Sequence, residues 1–194
     1  MLIAASLFKV NAQASVSGGL KMEANIHQFR LYGLDDYTSK MKMVPNLGGF
    51  LEIELNDRFA VQPEMMVFFR NSGIKHSNRN DNVQQWGMMM PVYLVRREYI
   101  DNGTWYSGFG AYVGFGFNAR MKNAKTALYD KTDGHAAVMN RWDYGISALI
   151  GYEYSNGIQI NAGLQLGLKD QLNAGKDHAT AINKTITAGI GYHF

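Results

Sequence analysis

From Asn183 to Phe194 the chain reads NKTITAGIGYHF and ends on an aromatic residue. Ile186, Ala188, Ile190, Tyr192 and Phe194 alternate with Thr185, Thr187, Gly189, Gly191 and His193, the period of two that a β-strand imposes on its faces. One face is apolar and the other is small or polar, so this strand separates two media. In a soluble sandwich the apolar row would point to a core. In a transmembrane barrel it would point to lipid, with an aromatic residue at the boundary with water.

The same alternation recurs along the chain. It is read over Val16–Ile26, Leu47–Leu55, Val61–Arg70, about Gln85–Arg97, Trp105–Asn118, Trp142–Tyr154 and Ile158–Lys169. Pro91 falls inside the fourth of these and is expected to need a bulge, because proline gives no ladder hydrogen bond. Tight turns are predicted at Asn56-Asp57, Asp101-Asn102-Gly103 and Ser155-Asn156-Gly157. They alternate with polar loops at about 30–46, 71–83, 119–141 and 170–182, with room for a short helix near Ala124–Leu128. Short and long connections taking turns is the mark of a meander whose two rims differ, as in outer-membrane barrels. Several strands are also long enough to cross a bilayer at a tilt, which takes about 9 to 11 residues.

These features predict an all-β fold, an eight-stranded antiparallel up-and-down transmembrane β-barrel with short periplasmic turns and long extracellular loops. Mean hydropathy is −0.22, and no apolar run of about 20 residues is present, which excludes membrane helices but not strands. Charge placement favours lipid outside: acids in the core of a soluble sandwich would cost several kcal/mol each unless paired. In a polar lumen Glu52, Glu54, Glu64, Asp143 and Glu153 are expected to meet Lys21, Arg97 and Lys169, with Glu23 on the same inner row as Lys21. The glycines of these rows would make the room. Trp105, Trp142, Tyr144, Tyr152, Tyr154, Tyr192 and Phe194 are expected at the two membrane boundaries as an aromatic girdle. A soluble lipocalin-like carrier, apolar inside, is left open by periodicity alone. Its surface would then be the charged row, which is too rich in glycine for that role.

Other classes fall away on composition. Absence of cysteine rules out thiol catalysis, thiolate metal sites and disulfides. The net charge of +3 is spread without a basic block, which argues against nucleic acid. Residues 1–14, an apolar segment followed by Asn11-Ala12-Gln13-Ala14, resemble the back half of a secretory signal cleaved after Ala14, leaving 15–194 as one barrel domain; an ordinary apolar first strand is the other reading.

Several of these stretches together resemble the small outer-membrane β-barrel family of Bacteroidetes-type bacteria called PorT-like. They are Asn11–Ala14, Gly48-Gly49-Phe50-Leu51-Glu52-Ile53-Glu54-Leu55, the MPVYLVR of Met90–Arg96, Trp142-Asp143-Tyr144-Gly145 and the closing Gly-Tyr-His-Phe. The resemblance covers essentially all of Ser15–Phe194 and departs at the Arg96-Arg97 pair, where a single Lys is usual, and in the Met-rich fourth strand. It implies an outer-membrane barrel but no agreed activity. Phe194 also resembles the aromatic end recognised by the barrel assembly machinery.

Of the five histidines, His76, His135 and His178 fall in predicted loops and His27 and His193 near strand ends. Ser72, Ser77 and Ser107 are imaginable partners, but no spacing marks a nucleophile with its base. No H-E-x-x-H occurs, and Asp81-Asn82 and Asp133-Gly134 read as turns, so no cofactor or metal is expected. Lys40, Lys42, Lys75, Arg79, Lys122, Lys125 and Lys131 would face lipopolysaccharide phosphates if the long loops are outside. The expectation is a non-enzymatic outer-membrane protein, an envelope anchor or a subunit of a larger complex, its lumen plugged by side chains because an eight-stranded interior is only wide enough for them. A lipid-modifying barrel enzyme is the alternative of a different class.

Overall fold

A computed structural model describes residues 15–32, 37–76, 79–122, 127–130, 137–172 and 180–194. Eight strands follow one another: β1 (Val16–Tyr32), β2 (Tyr37–Asn56), β3 (Phe59–His76), β4 (Arg79–Ile100), β5 (Gly103–Met121), β6 (Trp142–Tyr154), β7 (Ile158–Gly167) and β8 (Thr180–His193). Each pairs antiparallel with its neighbours. β8 closes on β1 from Gly19↔His193 to Tyr32↔Thr180, so no sheet edge is left open.

The three tight turns gather at one rim, and asparagine builds two of them. Asn56 Oδ1 accepts the amides of Arg58 and Phe59, each at 3.0 Å. Asn156 Oδ1 accepts that of Ile158 at 3.1 Å, and Gly157 takes a φ of 84°, where a side chain would be strained. His193 N–H donates to Gly157 O, and Phe194 N–H to Gly18 O, tying the end of the chain into this rim.

Side chains alternate in exposure as the pattern demands. In β8, Thr185 and Thr187 are buried while Ile186, Ile190 and Tyr192 are exposed. The interior carries the polar rows. The outside carries Leu20, Leu51, Met65, Leu94, Phe109, Ile150 and many like them, an apolar surface far beyond the few hundred Å² of a soluble monomer.

The strands run past the predicted loop boundaries. The β1–β2 hairpin stays strand to Tyr32 and from Tyr37, and β3–β4 pair out to His76↔Arg79. Once both faces of a ribbon meet water, the apolar/polar contrast disappears although the ladder continues, so periodicity cannot show it. β4 has 22 residues, roughly 70 Å of strand at ~3.3 Å each. Pro91 needs no bulge: it sits in register opposite Tyr112, and the β3–β4 ladder skips from Pro63↔Val92 to Met66↔Met89 without shifting. The bulge of β4 lies instead at Trp86/Gly87. Of the predicted helix, Ala127 forms an isolated bridge to Arg120 and Leu128 is in a bend, while 124–126 lie outside the described residues. Residues 1–14, read as the signal remnant, also lie outside them.

Candidate functional site

Alternation sends every second residue of each strand into the lumen, and the charged ones settle at three levels. Nearest the turns, Arg97 on β4 forms ion pairs with Glu52 on β2 and, at 3.3 Å, Glu153 on β6. Gln159 donates to Glu153 at 2.7 Å, and the His193 ring bridges Glu153 (3.0 Å) and Ser17 (2.7 Å). At mid-height Lys21 lies 3.1 Å from Glu23 and 2.9 Å from Glu64, which also accepts from Gln62 at 2.8 Å. Toward the loops Arg70 Nη1 meets Asp143 Oδ2 at 2.9 Å. Asp143 also accepts from Asn183 (2.6 Å), Tyr112 (3.3 Å) and Gln171 (3.3 Å). Each of these ions meets an opposite charge at close range, while Arg70 Nε and Nη2 and Arg97 Nε have no acceptor among the described residues.

Seven of the nine residues expected in a lumen network are therefore brought together at these levels. Two are not. Glu54 is exposed: it stays in register opposite the buried Ala60 but stands two residues from the end of β2, at the turn rim. Lys169 lies beyond the end of β7, with its ammonium 5.9 Å from the ring centre of the outward Tyr144. The cation that Asp143 needs is Arg70, which the alternation of β3 already places on the inner row with Gln62 and Glu64.

Above Asp143 a neutral chain continues. Asn183 Nδ2 is committed to the Asp143 carboxylate, so its Oδ1 accepts from His27 Nε2–H (2.9 Å), and His27 Nδ1 accepts the hydroxyl of Ser72 (2.7 Å). His27 is 0% exposed. Sequence spacing gave no sign of this trio, because its members are separated by strand crossings. Of the other histidines, His135 and His178 lie outside the described residues, as does the side chain of His76.

Apolar material closes the loop end. Leu128, Tyr129 and Met139 fold down onto Phe29, Val83, Ala119 and Ala181 in one buried cluster. Leu128 N–H donates to Ala119 O, and Met139 N–H to Leu128 O, both at 2.9 Å. The inward glycines serve this filling: a Cβ at Gly116 would meet the ring of Tyr129, one at Gly151 that of Tyr106, and one at Gly19 that of Phe50. They make room for rings more than for ions.

A family model described as outer membrane protein beta-barrel domain matches residues 1–194. The chain belongs to that family. Among solved structures it is similar to the outer membrane protein OprG from Pseudomonas aeruginosa, with a TM-score of 0.59 and 14% identity over 94% of this chain and 97% of that one. It is also similar to Neisserial surface protein A, NspA, with a TM-score of 0.50 and 8% identity over 93% and 99%. At such identities the likeness concerns the fold. No protein of curated function matches the sequence. The protein is thus a closed barrel of the bacterial outer membrane, and its exposed apolar rows face lipid. The lipocalin-like carrier falls with that: this barrel is polar inside and apolar outside.

On the lipid face of this outer-membrane barrel the aromatic residues form two groups. Trp105, Tyr152 and Tyr154 are in contact near the turns, with ring centres 5.2 and 4.8 Å apart, and Tyr192 and Phe194 lie at the same rim, 6.4 Å apart. Trp142 belongs to the loop-side group, where Trp86, Phe117, Phe115 and Trp142 make a continuous row at 5.1, 5.8 and 4.9 Å, with Tyr144 beside Trp142 on β6. Trp86, Phe115 and Phe117 were not expected there. Ten residues of β5 separate Trp105 from Phe115, roughly 25 Å of height at ~3.3 Å per residue and a tilt of about 40°, matching the usual apolar band. Of the predicted loop cations, Lys122 is exposed at the loop end and Lys42 is half-buried on β2. Lys125 and Lys131, and the side chains of Lys40, Lys75 and Arg79, lie outside the described residues.

Proposed function

We propose that this outer-membrane barrel is non-enzymatic and works through its outer surfaces, as an envelope anchor or as a subunit of a larger outer-membrane complex. The observation that supports this reading is the filling of the lumen: three levels of paired charge lie across it, and Leu128, Tyr129 and Met139 pack over its loop end. The sequence motifs shared with PorT-like barrels of Bacteroidetes-type bacteria support the finer kinship, and the exposed cations at the loop end, Lys122 among them, support contact with lipopolysaccharide. Purified protein in planar bilayers is expected to give no large, stable conductance, whereas steady porin-like steps would defeat the closed-lumen reading. A pull-down in mild detergent from native membranes is expected to retain a stoichiometric outer-membrane partner if the subunit role holds, and to recover the barrel alone if it is an anchor.

One observation favours the lipid-modifying alternative, the hydrogen-bonded Ser72, His27 and Asn183. Their burial weighs against it, since a nucleophile with no surface cannot reach an ester without the plug and β1–β3 moving apart.

A further inference from the structure

The ladder between β2 and β3 is interrupted partway along. Pairing of β2 with β3 stops at Met41↔Ser72 and resumes at Leu47↔Val67 with a shifted register. The intervening stretch of β2 contains Pro45, which has no N–H to give, yet it stays paired with β1. Two asparagines replace the missing ladder: Phe69 N–H donates to Asn46 Oδ1 (3.1 Å), and Asn25 Nδ2 donates to Phe69 O (3.0 Å). Beside this interruption the outer surface holds a groove of about 390 Å³. Phe69 and Trp86 are apolar members of its lining, and Asn71, Gln84, Asn118 and Arg120 are polar ones. These six are cross-strand neighbours on β3, β4 and β5, since Phe69 pairs with Trp86, Asn71 with Gln84, Trp86 with Asn118 and Gln84 with Arg120.

Height and chemistry decide what fits. Trp86 belongs to the loop-side aromatic row, so acyl chains lie on its turn side and the amides and Arg120 stand on its loop side, at the depth of headgroups. Arg120 is exposed, and among the described residues no carboxylate lies within ion-pair distance of it. Asn71 Oδ1 is shielded from solvent and accepts no hydrogen bond. The site therefore offers a cation for anionic oxygens, amides for hydroxyls, and flat rings for the apolar face of a sugar.

We propose that this groove binds one molecule of a phosphorylated, acylated amino-sugar lipid of the outer leaflet, its phosphate on Arg120 and its sugar against Trp86 and the three amides. The proposal rests on the loop end facing outward, as in the reading above, and names the lipid that the outer rim holds. Native mass spectrometry of the full chain in detergent, titrated with bis-phosphorylated lipid A, tests it. One lipid is expected to be retained per barrel, with retention falling about tenfold for Arg120→Ala. Gln84→Ala is expected to weaken retention by a smaller factor, and Arg96→Ala, at the turn end, to leave it unchanged. Heat-modified gel mobility identifies variants that remain folded. Equal retention by Arg120→Ala, of dephosphorylated lipid A, or of phosphatidylglycerol would overturn the proposal. Displacement by millimolar inorganic phosphate would reduce the site to a simple anion contact and overturn it as well. None of these outcomes touches conductance, so the closed-lumen reading stands or falls separately.

Discussion

Arg70 joins two kinds of contact: its Nη1 meets Asp143, and its guanidinium carbon lies 4.4 Å from the ring centre of Phe68. Truncating it strands a buried carboxylate, and Arg70→Ala is expected to cost about 3 to 5 kcal/mol. Replacing both charges, as Arg70→Met with Asp143→Leu, is expected to cost less than the single change, because no charge is left behind. Urea unfolding followed by tryptophan fluorescence measures both, and simple additivity would show that the two groups are not coupled. His27 and Ser72 carry a different expectation. Ser72→Ala removes one buried hydrogen bond, worth about 1 to 3 kcal/mol when it orphans its partner, and is expected to leave the lipid A of the host membrane unchanged; an altered lipid A would install a reaction at this site. Much of this level was readable in part. Glu64 and Asp143 announce themselves as acids on inner rows, but which cation each meets depends on strand stagger, which no single strand records. Strand-by-strand alternation therefore offers Lys169 as a partner as readily as Arg70.

Strand existence was legible wherever lipid lies on one face and the lumen on the other, because only that contrast writes a period of two. The extensions of β1–β4 beyond the membrane were not, since water on both sides erases it. Neither was the β2–β3 interruption, although Pro45 marked its position. There a side chain stands in for backbone. Asn46→Ala is expected to leave the Phe69 amide without an acceptor and the Asn25 amide short of one, a loss of about 1 to 3 kcal/mol. Hydrogen exchange at Phe69 should then accelerate while exchange in the β4–β5 ladder, in continuous register from Gly87↔Gly116 to Ile100↔Gly103, stays slow. Uniform acceleration across the barrel would mean that the interruption is not a local weak point. The plug has its own dependence on a strand: Gly116→Ala would place a methyl inside the ring of Tyr129, so the ring must leave the Phe29–Met139 cluster or β5 must shift.

For the whole molecule, the two rims differ in a way that fixes orientation. Tight turns gather at one end together with Phe194, and the plug, the long β5–β6 and β7–β8 connections, Arg120 and Lys122 gather at the other. In outer-membrane barrels the short turns are periplasmic and the long loops extracellular, and the absence of cysteine gives a background on which one introduced thiol reports its side. Lys122→Cys, exposed just beyond β5, is expected to react with a membrane-impermeant maleimide on intact cells. Asn102→Cys, exposed in the β4–β5 turn, is expected to react only after the outer membrane is permeabilised. Neither side chain packs in the lumen or the apolar band, so both variants should assemble as the parent does. The opposite labelling pattern would invert the barrel. It would move Arg120 and the groove beneath it to the periplasmic leaflet, where a phosphorylated sugar lipid would no longer be its neighbour, while leaving the paired charges of the lumen where they are.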